Sequence, residues 1–405
     1  MRRNAIRYPA PAQRRARLLA RQTLKMAASA HAYVRGSTLH FYDWLQDQRS
    51  GAIPTGPAVW ICGDCHVGNL GPVASADGEV DIQIRDLDQT VIGNPAHDLI
   101  RLALSLATAA RGSDLPGVTT AHMLEQMMDG YSRGLVQRRS VAGQIAKPEA
   151  VRVLMRRAMA RTWKHLAKER LEDIKPTIPL GKRYWPLAKA ERRAIGHLFQ
   201  DTAVRRLVNS LKSRKDDAKI QVLDAAYWMK GCSSLGRLRY AVLLGVGKAR
   251  DLDDFCLIDI KEAIAAAAPR TRGASMPRDH ASRVVAGSKH LAPNLGERMM
   301  AAGFLGRSVV LRELLPQDLK LDIDQLTIEE ATRAARYLAA VVGIAHGRQM
   351  DVKARVKWRQ ALERGHSRKL DAPSWLWTSV VGLIAHHETA YLEHCRRYAL
   401  APLSN

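Results

Sequence analysis

The sequence has few of the features that would place it in a membrane or staple it covalently. Its five cysteines, at 62, 65, 232, 256 and 395, are too few in 405 residues for a disulfide framework. No apolar run reaches the ~18 residues that a membrane span requires. The most apolar stretch, near 331–345, is broken by Arg333 and Arg336. The first 25 residues are basic but carry no apolar segment and no cleavage pattern, so no secretory signal and a cytoplasmic location are expected. Negative charge is also scarce: 39 acidic against 63 basic residues give a net charge of +24. Such an excess points to anionic ligands. There is no helix-turn-helix, zinc finger or aromatic RNA-binding pattern, and the arginines are spread over many segments. Nucleic acid is therefore not favoured as the main partner, and an anionic substrate, ATP included, drawn into a positive cleft needs no extra assumption. Neither internal repeats nor low-complexity segments occur. With 46% hydrophobic residues the chain has an ordinary globular composition.

One short stretch is chemically rich: Trp60 to Gly71, WICGDCHVGNLG. It contains Cys62-x-x-Cys65-His66, the pattern of a c-type haem attachment site, half a zinc site or a redox pair. Haem attachment requires export, and a structural zinc site needs a second ligand pair that the sequence lacks. Cys62 and Cys65 are accordingly expected to be small buried residues. The same letters hold Asp64, His66 and Asn69 directly after an apolar strand pattern at 57–62. A turn at 76–80, a second strand at 80–84, the acidic loop Arg85-Asp86-Leu87-Asp88 and a helix from 96 to 110 follow. Carboxylates at the ends of neighbouring strands are placed for chemistry. Asp64, Asn69, Asp86 and Asp88 are hard oxygen donors suited to Mg²⁺ beside phosphate. Phosphoryl transfer to an alcohol uses an Asp as base, an Asn five residues on as metal ligand, and a further Asp on the metal.

The segment 63–106 resembles the catalytic core of the protein-kinase-like superfamily, in its aminoglycoside phosphotransferase and choline kinase branch. That branch carries His-Gly-Asp-x-x-x-x-Asn, Ile-Asp-Phe and Gly-x-Pro-x-x-Asp-Leu-Ala; here they read Cys62-Gly63-Asp64 to Asn69, Arg85-Asp86-Leu87, and Gly93-Asn94-Pro95 to Asp98-Leu99. The resemblance implies Asp64 as catalytic base, Asn69 and Asp86 as metal ligands with Asp88 beside them, and Asp98 with His66 as support for the catalytic loop. Cys62 replaces the motif's His. Over its full length the chain more closely resembles a bacterial family, defined only as a domain of unknown function, within that superfamily; residues 33–45 and 260–263 also fit it.

The nucleotide lobe is not where a kinase chain normally has it, ahead of the catalytic loop. It is expected further down. Residues 222–247 read as strand, Gly/Ser turn and strand, and 255–263 as a third strand. Gly231, Ser233, Ser234 and Gly236 would cover the phosphates and Lys261 would contact them. A helix over 276–292 should brace this lysine, but no Glu stands out; Glu262 points to the strand's other face and Glu297 is a candidate. Residues 308–316 read as a central strand entering a hinge, with Arg312 and Lys320 as basic neighbours. Residues 327–349 form the clearest helix, opened by the Thr327/Glu330 capping box. Helices are also expected at 119–137, 148–171, 187–200 and from Trp375 to Tyr398, with a mobile loop at 268–280.

The expected fold is α+β: a two-lobe, protein-kinase-like architecture with a large helical component, circularly permuted so that the catalytic loop precedes the nucleotide lobe. Its parts are N-terminal helices (1–56), catalytic segments and helical lobe (57–215), nucleotide lobe (216–325) and completing helices (326–405). The expected function is ATP- and Mg²⁺-dependent phosphoryl transfer to a hydroxyl acceptor whose identity the sequence leaves open. The alternative is a catalytically silent kinase-like module that binds RNA or another polyanion.

Overall fold

The computed structural model describes residues 8–136, 145–163, 165–166, 177–211, 213–247, 255–319, 321, 327–363, 366–367 and 370–398. Three helices come first: α1 (Pro11–Ala27), α2 (Ala30–Gly36) and α3 (Thr38–Gln46). Pro11 opens α1 at a position where a missing N–H is harmless. Two antiparallel ribbons follow, β1 (Val59–Ile61) with β4 (Val91–Gly93) and β2 (Leu70–Ala74) with β3 (Val80–Ile84). The sequence reading found β1 and β3. It missed β2, whose Gly71 and Pro72 argue locally against a strand, although pairing runs unbroken from Leu70–Ile84 to Ala74–Val80.

The second half holds a six-stranded antiparallel sheet in the order β5-β6-β7-β8-β10-β9. Its strands are β5 (Tyr184–Trp185), β6 (Ile220–Trp228), β7 (Arg239–Val246), β8 (Phe255–Glu262), β9 (Met299–Phe304) and β10 (Arg307–Leu314). β5, within a segment that reads as loop, and β9 were not expected. β9 joins β10 through Leu305 and Gly306, both at positive φ (50° and 71°), a tight hairpin without the usual Asn-Gly signal.

The helical body comprises α4 (Ala96–Gly112), α5 (Gly117–Val136), α6 (Glu149–Ala160), α7 (Lys189–Leu198), α8 (Thr202–Val208), α9 (His280–Leu291), α10 (Pro293–Gly296), α11 (Ile328–Gly347), α12 (Val352–Glu363) and α13 (Ser374–Tyr398). The Thr327/Glu330 capping box opens α11 as expected. The helix expected over 148–171 is interrupted: α6 ends at Ala160, where Arg161 turns extended, and helical residues resume at Trp163. With thirteen α-helices and this sheet among the described residues, the fold is mixed α+β. No helix of the described residues is long and apolar enough to cross a membrane.

Two large hydrophobic cores result, with a small third cluster of Ala74, Leu211 and Leu315. One unites the ribbons with α4, α5, α11 and α13. The other lies on one face of the sheet, where Tyr240, Ile258, Ile260 and Leu311 meet α7 and α8. The sheet's opposite face looks onto the loops after β1 and β3. α1 touches both bodies: its Leu18 enters the sheet core, its Arg14 pairs with Glu191 at 2.7 Å, and it packs on α2 and α13.

Candidate active site

The loop carrying Asp64 is fixed from below. Asp98, in the first turn of α4, is fully buried. It accepts hydrogen bonds from the Cys62 and Gly63 amides at 2.7 and 2.9 Å and from His346 Nε2 at 3.1 Å. Gly63 adopts φ +74°, and a Cβ there would lie 2.3 Å from the Gln89 carbonyl, so only glycine fits. Tyr42 donates to the Gly63 carbonyl at 2.5 Å. The Asp64 carboxylate then accepts Arg101 Nε at 2.9 Å and Thr38 Oγ1 at 3.0 Å. Asn69 donates Nδ2 to the Asp64 carbonyl at 2.9 Å, which leaves its Oδ1 as an acceptor beside the cleft. His66 is buried with Nδ1 lacking a hydrogen-bond partner. Burial holds its pKa down to about 4, against the attraction of Asp64.

The acidic loop after β3 faces the sheet. Lys261 Nζ lies 3.2 Å from Asp86 Oδ1 and 2.6 Å from Asp88 Oδ2. Burial raises the Asp86 carboxyl, but Lys261, Arg239 and Arg312 outweigh it and hold Asp86 well below the usual carboxylate range. Asp88 moves the other way, raised by burial and by the neighbouring charge of Asp86.

Strand pairing places Arg239 and Val310 on either side of Lys261. Asp259, two residues earlier and so on the same face, accepts Arg239 Nε at 2.8 Å and Nη2 at 2.5 Å. Arg312 Nη2 lies 3.6 Å from Asp259. The β6–β7 turn closes the cleft: Gly231, Ser233 and Ser234 line it together with Asp64, Asn69 and Asp86. Gly231 has φ +91°, and its carbonyl accepts Lys25 Nζ at 2.9 Å. Gly236, grouped with these by sequence, instead faces Leu19 of α1 outside the cleft.

Other expectations need correction. Glu297 does not approach Lys261; it accepts the Ala76 amide at 2.8 Å. Glu262 accepts the Leu238 amide at 2.9 Å. The bracing helix, α9, begins at His280 and presents Arg283, which donates to the carbonyls of Asp88 (3.0 Å), Ile264 (2.9 Å) and Thr90. Of the loop expected at 268–280, residues 268–279 carry no regular element and His280 opens α9, yet Thr271 N donates to the Ile92 carbonyl at 2.8 Å. Lys320 lies outside the described residues.

Arg101, Arg239 and Asp259 were missed as site residues. Asp259 had a signal, since it is a charge inside an otherwise apolar strand, FCLIDIK. Cys62 and Cys65 are fully buried free thiols. Hydrogen bonding to Cys65 and burial push the Cys62 thiol well up. Among the described residues no three His, Cys, Asp or Glu side chains are grouped to hold a metal ion by themselves.

Fold and cleft thus define a mixed α+β protein with a charged cleft between a sheet and a helical body. The chain belongs to the family described as "Uncharacterized protein conserved in bacteria (DUF2252)", whose model matches residues 14–397. No curated protein and no solved structure matches the chain.

Proposed function

We propose that this protein is an ATP- and Mg²⁺-dependent phosphotransferase of the protein-kinase-like kind, with its parts in permuted order, acting on a hydroxyl acceptor. The carrying observation is the contact of Lys261 with Asp86, 175 positions apart in sequence, in the cleft that Asp64 and Asn69 also line. Strand, Gly/Ser turn, strand, strand with lysine, then helix is the order of parts a kinase nucleotide lobe uses. Asn69, Asp86 and Asp88 would hold Mg²⁺, which takes one or two carboxylates and completes its shell with water and phosphate; when bound it would neutralise the phosphate charge. The ammonium of Lys261 lying against both carboxylates supports a cation site at this point. Asp64 would take the acceptor's proton, its carboxylate oriented by Arg101 and Thr38.

The test is calorimetry with ATP in the presence and absence of Mg²⁺, followed by transfer assays on an acceptor panel. Asp86→Asn should abolish Mg²⁺-dependent binding. Lys261→Ala should weaken it by ~1–3 kcal/mol, the scale of a charge-assisted hydrogen bond. Asp64→Asn should spare binding and lower transfer by about 10²-fold or more. If all three bound like wild type, the site would lie elsewhere. A second reading, a kinase-like binding module without turnover, draws on Arg283 standing where a bracing Glu is expected. It predicts nucleotide binding with neither transfer nor hydrolysis.

A further inference from the structure

We infer that the cleft recognises its phosphoryl donor through the phosphates alone, so that triphosphates bind alike whatever base they carry. The inference rests on the reading of the cleft as a Mg²⁺–nucleotide site and concerns what that site can distinguish.

A ligand with its phosphates beneath the β6–β7 turn and against Lys261 would present its base further along β7 and β8. That stretch of wall is ionic. Asp259 is only 2% exposed, and its oxygens are taken by Arg239 at 2.8 and 2.5 Å, with Arg312 at 3.6 Å. Buried and clamped by Arg239, the carboxylate presents little to a base N–H, and a guanidinium offers no acceptor. The Arg239 guanidinium also stacks over the Trp228 ring, 5.0 Å from its centroid. Among the described residues no Phe, Tyr or Trp side chain lines the cleft, His66 being its one aromatic ring. Its apolar lining, including Val284, Met299 and Val310, lies past Lys261 toward α9 and β9, away from the turn.

The chain leaving β10, whose backbone would be the natural reader of a base edge, has part of its polar groups engaged elsewhere. Glu313 pairs with Arg214 at 2.7 Å and Asp318 with Arg298 at 3.5 Å. Arg85 takes the Asp318 and Leu319 carbonyls. The cavity measures about 160 Å³, below the ~300–1,000 Å³ of sites that enclose a drug-sized molecule.

What a phosphate chain needs is present. Arg239 Nη1 points toward the turn, 3.9 Å from where a Gly231 Cβ would stand. Lys230 and Lys261 line the same space. Among the described residues the amides of Cys232, Ser233 and Ser234 donate to no backbone carbonyl. Successive amides in a turn form an anion-binding concavity.

The experiment is calorimetric titration of the full chain with the Mg²⁺ complexes of ATP, GTP, UTP and inorganic tripolyphosphate. The four dissociation constants should agree within about threefold. Arg239→Met should weaken all four together, by about tenfold. Because that change strands Asp259, the half-buried Lys230→Gln serves as a second variant with the same uniform direction. A tenfold or greater preference for one base, or a variant that weakens one triphosphate only, overturns the inference and leaves the nucleotide site standing. If none of the four binds, both readings fall.

Discussion

Asp98 gives its two oxygens to donors from three places: the Cys62 and Gly63 amides and the imidazole of His346. Behind it His346 Nδ1 meets the Tyr131 hydroxyl at 2.9 Å, which also accepts Trp358 Nε1 at 3.0 Å. Trp can only donate, so the Tyr131 proton is free for Nδ1, and Nε2–H faces Asp98. Asp98→Asn replaces one acceptor with a donor pointing at a donor. It should cost ~3 kcal/mol in urea denaturation, since hydrogen bonds to a buried charge are worth more than neutral ones. On the function proposed above, it should also lower transfer more than nucleotide binding, because the loop it misplaces carries Asp64. Asp98 could be picked out from its segment, Gly93-Asn94-Pro95 to Asp98-Leu99, because a short motif at a helix start is local. Arg101 could not: in sequence it is one more arginine on an amphipathic helix, and only the packed fold turns it to Asp64.

α5 and α11 cross at backbone contact. A Cβ on Gly130 or Gly134 would lie 2.0 or 2.3 Å from the carbonyls of Arg336 or Ala340, and one on Gly343 or Gly347 would lie 2.4 Å from those of Tyr131 or Leu135. Two Gly-x-x-x-Gly faces thus interlock, and the close approach sets His346 against Tyr131. Gly134→Ala should destabilise by ~2 kcal/mol or more, because neither backbone can yield without separating the helices. Gly112→Ala, at the end of α4 with nothing within 4 Å, should instead be neutral or stabilising by ~0.5 kcal/mol. Thermal denaturation of both variants checks the contrast. The sequence reading found these helices from their 3.6-residue period. It did not find the crossing, because a glycine's value depends on what approaches it. β9 escaped for a related reason: Met299–Phe304 has weak strand character and becomes a strand by pairing with β10.

Across the molecule, burial leaves three histidines neutral in the native state. His66 and His97 are lowered to about 4 and His387 to about 3, in each case first by burial. Above about pH 6.5 the imidazoles are neutral folded and unfolded alike and add no pH dependence. As pH falls from about 6.5 toward 4, the unfolded chain takes up protons that the native protein refuses, so stability should fall throughout that window, by up to ~3 kcal/mol per histidine. Urea midpoints at pH 7, 6 and 5 should show the decline, and His387→Gln should flatten it. A stability that stayed level over this range would mean that these rings are solvated.

Length, composition and pattern were enough to establish an ordinary globular composition, the absence of a spanning helix among the described residues, the long helices, the strands around 59–61, 80–84 and 220–262, and the grouping of Asp64, Asn69 and Asp86 near one another. All of these depend on neighbours within a few residues or on an average over the chain. Tertiary structure alone decided that Lys261 meets Asp86 and Asp88 and not a glutamate, that Gly236 leaves the cleft, and that Asp259 and Arg239 make its wall ionic. Each of these is a contact between segments far apart in the chain, and the energy of such a contact exists only once the two segments have been brought out of water and against each other.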